Sequence, residues 1–146
     1  MNKLIIFLVL SSISGFGQQN KEIEKPIRNL FLGMKNADAE LVKSAFAENA
    51  VLQTITKDGN VKSDSIQDFV ASVSKFTKGD LDERIIIEAI HTDGNLASVF
   101  TPYSFYVKEK LSHCGANSFQ LVKQNNEWKI QYIIDTRRKD NCKEIK

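Results

Sequence analysis

The sequence predicts an α+β domain: three helices in the first half, packed on an antiparallel sheet supplied mainly by the last third. Three observations lead there. Ser98–Val107, Leu111–Lys123 and Trp128–Arg137 are rich in Val, Ile, Phe and Tyr, and short polar breaks at Lys108-Glu109-Lys110 and Gln124-Asn125-Asn126-Glu127 separate them. Such runs joined by short polar loops read as antiparallel hairpins. Earlier in the chain, apolar residues recur at helical rather than strand spacing. Pro102 interrupts the first of the three runs. Proline cannot donate to a ladder, so a bulge or an edge position that bends the sheet is expected there.

The first residues differ in kind from the rest. Lys3 precedes an unbroken apolar run, Leu4 to Leu10, followed by Ser11-Ser12-Ile13-Ser14 and Gly15-Phe16-Gly17. A positive start, a short apolar core and small residues before a cut describe a secretory signal peptide. Cleavage is expected after Gly17 or Gln18, which leaves a signal at 1–17 and one domain at 18–146. The run is too short for an ordinary membrane span, and no other stretch could cross a bilayer. Loss of Lys3 leaves 19 Lys and Arg against 18 Asp and Glu, a charge of +1. The mature protein is expected to be exported, periplasmic or secreted, and free of the membrane.

Helix spacing begins with Ile23, Ile27, Leu30, Phe31 and Met34, at i, i+4, i+7, i+8 and i+11. Proline is tolerated in a first turn, so this helix is expected to start close to Pro26. Asn36-Ala37-Asp38 ends it, and Asp38 is placed to cap a second helix with Leu41, Val42, Ala45 and Phe46 on its apolar side. Ala50–Thr56 reads as a strand and Lys57-Asp58-Gly59-Asn60 as a turn. Ile66, Phe69, Val70, Val73 and Phe76 mark a third helix, with Asp64 and Gln67 as its capping box. Leu81–His91 reads as one strand centred on Ile85-Ile86-Ile87. The Asp93-Gly94 turn then joins it to the run that contains Pro102.

Closing the two hairpins sets a register. The first pairs Phe105 with His113 and Tyr103 with Gly115; the second pairs Phe119 with Ile133 and Asn117 with Asp135. Side chains alternate, so Val99, Tyr103, Phe105, His113, Asn117, Phe119, Leu121, Ile133, Asp135 and Arg137 share one face. The other face carries Phe100, Tyr106, Ala116, Val122, Trp128, Ile130, Tyr132 and Ile134. Both faces are apolar and both need a cover. A homodimer built on Phe100, Tyr106, Trp128, Ile130 and Tyr132 would supply one of them.

Composition narrows the partners. The 146 residues, 42% hydrophobic and 26% charged, are those of one folded domain. A formal charge of +2, spread along the chain, gives no basis for nucleic acid or acidic lipid as a partner. Arg137-Arg138-Lys139 is short and reads as a solvated strand end. Cys114 faces Arg138 in the register above, four residues short of Cys142, so a tail curling back could join the two cysteines. A buried free thiol at Cys114 is the alternative. The pair lacks the spacing of a zinc site, and there is no Gly-rich phosphate loop, Walker motif or metal triad. No cofactor is expected.

The helical hairpin first and the long bent meander last resemble the nuclear transport factor 2-like superfamily. The resemblance is carried by Asn36-Ala37-Asp38, Ala45-Phe46-Ala47-Glu48-Asn49-Ala50-Val51, Ser118-Phe119-Gln120-Leu121-Val122-Lys123 and Glu127-Trp128-Lys129-Ile130. Within it, Ile23-Glu24-Lys25-Pro26, Pro102-Tyr103-Ser104-Phe105-Tyr106 and Asp135-Thr136-Arg137-Arg138 look like the putative lumazine-binding branch, close to the SnoaL-like, polyketide cyclase-like members. The resemblance implies a strongly curved sheet, a cone with a pocket at its open end, and frequent dimerisation through the outer face. It also implies a small-molecule ligand.

Some relatives are enzymes. The ketosteroid isomerase branch needs a tyrosine and an aspartate where this chain has Leu30 and Thr54. Leucine donates no hydrogen bond, and a threonine hydroxyl is no base near neutral pH. His91 beside Asp93-Gly94 reads as a turn residue, and adjacent Cys114 and His113 point to opposite faces. The candidate site is therefore the mixed face. Tyr103, Phe105 and Phe119 enclose a ring, Asn117 and Asp135 orient it, and Arg137 meets an anionic or carbonyl group. Phe31 and Met34 on the first helix complete it, as does Gln53 on the first strand, which reads equally as a polar residue on a half-exposed strand. If the site does chemistry, Asp135 is the base, its pKa raised by burial, and His113 the acid. The same residues also read as plain core beside an Asp135–Arg137 ion pair. Two functions stay open: a binder of a small organic molecule, or a small dehydratase, isomerase or cyclase.

Overall fold

A computed structural model describes residues 13–146. Lys3 and the Leu4–Leu10 run, which carry the signal-peptide reading, lie outside the described residues. The chain forms α1 (Ile13–Asn36), α2 (Ala39–Ser44), β1 (Phe46–Ile55), β2 (Val61–Asp64), α3 (Ile66–Val73), β3 (Leu81–Ile85), β4 (Ala89–Asp93), β5 (Leu96–Val107), β6 (Lys110–Gln124) and β7 (Glu127–Thr136). The strands make one curved, unclosed sheet of order β2-β1-β7-β6-β5-β3, with β4 also paired to β5. No helix among the described residues is long and apolar enough to cross a membrane.

The α1 stripe packs as its spacing requires. Ile23, Ile27, Leu30, Phe31 and Met34 are all buried, against Phe119, Leu121, Ile130 and Ile133 of the sheet in one core cluster. Burial of each such side chain stabilises by about 1.5–3 kcal/mol. The helix starts earlier than expected, so Pro26 lies inside it. Proline has no N–H, and the carbonyl one turn before it goes without its helical partner. Asp38 caps α2 as expected, its Oδ1 accepting from the Leu41 N–H at 2.9 Å.

Other elements differ from the sequence reading. Ser65, not Asp64, caps α3, accepting from the Asp68 N–H at 3.0 Å. Asp64 ends the short strand β2, which pairs with β1 and gives little apolar signal because all four of its residues are exposed. Leu81–His91 is broken into β3 and β4. Ile86, Ile87 and Glu88 stand opposite Thr101 and Pro102, three residues against two, since Ile85 pairs with Tyr103 and Ala89 with Phe100. The extra residue falls beside Pro102, where a bulge was expected. One strand pair, β1 with β7, is parallel.

Both hairpins are tighter than the polar breaks suggested. Two-residue turns, Lys108-Glu109 and Asn125-Asn126, have positive φ at both positions, the backbone that matches strand twist. Each is followed by a one-residue bulge, at Ser112 and at Gln131. Beyond the bulges the predicted pairs hold: Phe105 with His113, Tyr103 with Gly115, Phe119 with Ile133, and Asn117 with Asp135. Between turn and bulge the β7 side chains swap faces. Trp128 and Ile130 are therefore buried in the core rather than displayed on the outer face.

The outer face has a cover of its own over part of its area. Cys114 and Cys142 form a disulfide that holds the C-terminal tail against the sheet. Arg138 makes a two-bond bridge with Cys114, Ser104 Oγ donates to the Lys143 carbonyl at 2.6 Å, and Arg84 lies 4.3 Å over the Tyr106 ring. Tyr106 is buried there. Of the five residues assigned to a dimer face, Phe100 and Tyr132 remain without such cover, joined on the same face by exposed Val51.

Candidate functional site

Where β5, β6 and β7 curve away from the helices, the inner face is left partly unfilled. A cavity of about 230 Å³ opens there, walled by Leu30, Phe31 and Met34 of α1 and Phe69 of α3. Tyr103 and Phe105 from β5, His113, Asn117 and Phe119 from β6, and Asp135 with the following Arg137 from β7 line the sheet side. Nine of the ten residues expected to bind ligand thus meet at one cavity. Phe31 packs edge-on against Phe119 at 6.2 Å, and His113 lies between Tyr103 at 5.7 Å and Phe105 at 5.1 Å.

Gln53 is the exception. Leu52 and Thr54 point inward, so Gln53 points out. There it accepts from the Tyr132 hydroxyl at 2.7 Å and donates to Ser63 Oγ at 3.0 Å.

The polar end of the cavity is a network. Asp135, buried, accepts from Thr54 Oγ1 at 2.5 Å, from the Tyr103 hydroxyl at 3.1 Å and from Arg137 Nε at 2.8 Å. Thr54 thus serves the carboxylate as a donor, a role consistent with its unsuitability as a base. The ion pair expected between Asp135 and Arg137 exists alongside the cavity, not in place of it. Gly115 lets the network close: a Cβ at this position would meet the Thr136 carbonyl oxygen at 1.8 Å and the Tyr103 ring at 2.9 Å.

The sequence reading missed Glu83 of β3. Its Oε1 accepts from Asn117 Nδ2 at 3.0 Å, and Asn117 also reaches Thr101 Oγ1 at 3.3 Å. Burial pushes the Glu83 carboxyl up to about 7, helped by the Asp135 charge and opposed by the Asn117 hydrogen bond and Arg137. A lone Glu in the alternating Leu-Asp-Glu-Arg-Ile run carries no local sign of this. Glu83 is the carboxyl of the site that burial shifts, whereas Asp135 is the one that gathers hydrogen bonds, from Thr54, Tyr103 and Arg137. Nor is His113 set up as a cationic acid: burial first, then the nearby Arg137, lowers its pKa. The neutral ring contacts Ser112 Oγ through Nδ1 at 3.1 Å. Burial, reinforced by the Asp135 and Glu83 charges, pushes the Tyr103 phenol well up, so it stays a hydrogen-bond donor.

A half-cone of helices on a curved sheet, with a mixed cavity at the open end, defines the nuclear transport factor 2-like class. Solved structures agree on the fold. The chain is similar to an NTF2-like protein of unknown function from Shewanella baltica (18% identity, TM-score 0.70, 86% of this chain and 98% of that one). It is also similar to a cystatin-like fold protein of unknown function from Nostoc punctiforme (16%, 0.67, 84% and 93%). A third is described as a putative aromatic ring hydroxylase from Novosphingobium aromaticivorans (15%, 0.67, 84% and 90%). Residues 18–132 match the model of the putative lumazine-binding family, and the chain belongs to that family. No curated protein matches the sequence.

Proposed function

We propose that this is an exported small-molecule-binding protein that takes a compact aromatic or heterocyclic ligand in the cavity between α1 and the sheet. The observation that carries this reading is the cavity's make-up: apolar and aromatic walls with a few convergent polar groups at one end. At about 230 Å³ the cavity is below the roughly 300–1,000 Å³ of drug-sized sites, which suits one or two rings. Phe31, Phe105, Phe119 and Tyr103 enclose the ring, while Asn117, Glu83 and the Asp135–Arg137 pair orient it. The family's name makes lumazine the first compound to try. Export to the periplasm or medium is supported by the leader-like first residues and by a disulfide, which persists in oxidising compartments. A homodimer would use the uncovered part of the outer face, around Val51, Phe100 and Tyr132, and sedimentation at tens of micromolar tests it.

One observation favours a second reading, a dehydratase- or isomerase-type enzyme. Glu83, its carboxyl pushed up to about 7 by burial and held by the Asn117 amide, is the kind of carboxyl that moves a proton at physiological pH.

Native mass spectrometry of protein purified from its own host tests both. The expected result is a retained organic mass, lost on Phe105→Ala or Asp135→Asn in folded protein. Empty protein that also gives no heat with lumazine would overturn binding in this cavity. Turnover that depends on Glu83 would move the assignment to the enzyme.

A further inference from the structure

Beside the cavity lies a second, shallower hollow lined by Lys57, Ser112, His113, Arg137, Arg138, Lys139 and Asp140. The two have His113 and Arg137 in common, so the hollow adjoins the cavity and is placed to serve as its mouth. Its charge is one-sided. Arg137 is committed to Asp135 at 2.8 Å. Lys57, Arg138 and Lys139 form no ion pair among the described residues, and Asp140 is the one carboxylate lining the hollow.

These cations do not sit on a loose tail. Arg138 is held by two backbone hydrogen bonds to Cys114, each 2.9 Å, and the chain is tied down again four residues later by the Cys114–Cys142 disulfide. Lys139 lies between these two anchors. Lys57 reaches the hollow from the turn after β1, and so the positive groups converge from two parts of the chain. The cavity itself has the opposite balance, with Glu83, Asp135 and Asp64 in its lining and Arg137 as its one cation.

We propose that the ligand carries an anionic oxygen group, carboxylate or phosphate, which rests in this hollow against Lys57, Arg138 and Lys139 while its ring fills the inner cavity. The proposal rests on the reading of the cavity as a ring-binding site and adds the ligand's charge and direction. A negative group pushed inward would meet Asp135 and Glu83; the same group left at the mouth meets unpaired cations. The ligand therefore enters ring first. A ring N–H or O–H at its leading edge would find the Glu83 carboxyl, whose Oε1 already accepts from Asn117.

The test uses 2-naphthamide, 2-naphthoate and 2-naphthyl phosphate, which share a ring and differ in charge, titrated calorimetrically into the oxidised protein at low salt. The expected result is about tenfold tighter binding of the two anions than of the amide, the sum of several exposed pairs. That advantage should vanish in the R138E/K139E variant and at roughly 0.5 M salt, where screening is strong. Amide binding should stay unchanged in both, because Arg138 and Lys139 are exposed and do not touch the ring site. Amide binding without an advantage for either anion overturns the charge assignment and leaves the cavity reading standing. So does an advantage that survives charge reversal. If none of the three binds to folded protein, the cavity reading and this proposal fall together. A preference for one anion over the other identifies which oxygen group the mouth accepts.

Discussion

Replacing Glu83 by Gln should make the protein's stability less dependent on pH, in one direction only. Folded, the carboxyl titrates at about 7 rather than near the ordinary 4.5. Between those values the folded chain keeps a proton that the unfolded chain has lost, so stability falls as pH rises. The loss begins above the unfolded value and is complete once pH passes the folded one. At ~1.4 kcal/mol per pH unit, the interval amounts to about 3 kcal/mol. The cavity opens to water and Glu83 is only partly buried as a residue, so about 1–2 kcal/mol is the expected effect. Gln keeps an oxygen for the Asn117 amide and has no charge to bury. Asp135 and Arg137, which face the carboxyl with opposite charges, remain in the variant, as do His113 and Asp64 of the cavity wall. Urea unfolding of both proteins from pH 4 to pH 8 gives the difference directly, since the other titrations are shared. Near pH 4 the variant should match the wild type; by pH 8 it should be more stable by the stated amount. A difference that does not change with pH would refute the burial argument, as would a variant that loses ground as pH rises.

Gly115→Ala should destabilise by at least about 2 kcal/mol, an overpacking cost in which the added Cβ drives Thr136 and Tyr103 apart. Near-ultraviolet circular dichroism should register the displaced tyrosine, and an unchanged spectrum and unfolding midpoint would contradict the close approach. Reducing the protein, or Cys142→Ser, should cost about 3.5 kcal/mol for a loop with sequence separation 28. Unreduced intact protein should weigh two hydrogens less than its dithiol form. N-terminal sequencing of the exported protein should begin at Gln18 or Gln19. Residues 17 to 22, around and after this cut, are exposed or half-buried, and among the residues whose burial is described the core starts at Ile23. A mature chain that still starts at Met1 would rule the leader out.

The inner face of the sheet was legible because two local rules coincide there. Alternation puts every second residue on one side, and the polar breaks locate the hairpins well enough to pair Asn117 with Asp135 and His113 with Phe105. That reading succeeded for a reason it did not contain. The turns are shorter than the breaks, and a bulge in each hairpin shifts the register by one residue to the value a longer loop would have set. At the turn end of β7 the same bulge made the reading fail. Trp128 and Ile130 crossed to the core, and the proposed dimer patch shrank with them. Where both faces of a strand are apolar, no pattern tells a bulged strand from a regular one.

Gln53 and Glu83 mark the same boundary from the side of function. For Gln53 the sequence leaves pocket and half-exposed strand face equally open, since no register fixes β1; the pairing of Thr54 with Asp135 fixes it outward. Glu83 sits on a strand whose partner is β5, twenty-two residues later in the pairing with Phe105, and nothing nearer in the chain brings it to Asn117. The sequence by itself determined the helices, the hairpins, the face shared by Tyr103, Asn117, Phe119 and Asp135, and a disulfide pairing within reach. Local periodicity and turn chemistry are enough for these. Only the tertiary structure decided that Glu83 completes the polar end and that Lys57, Arg138 and Lys139 gather at the mouth. Both depend on desolvation and on charges brought together by sheet curvature and a tethered tail, and neither is a property of any stretch of chain taken alone.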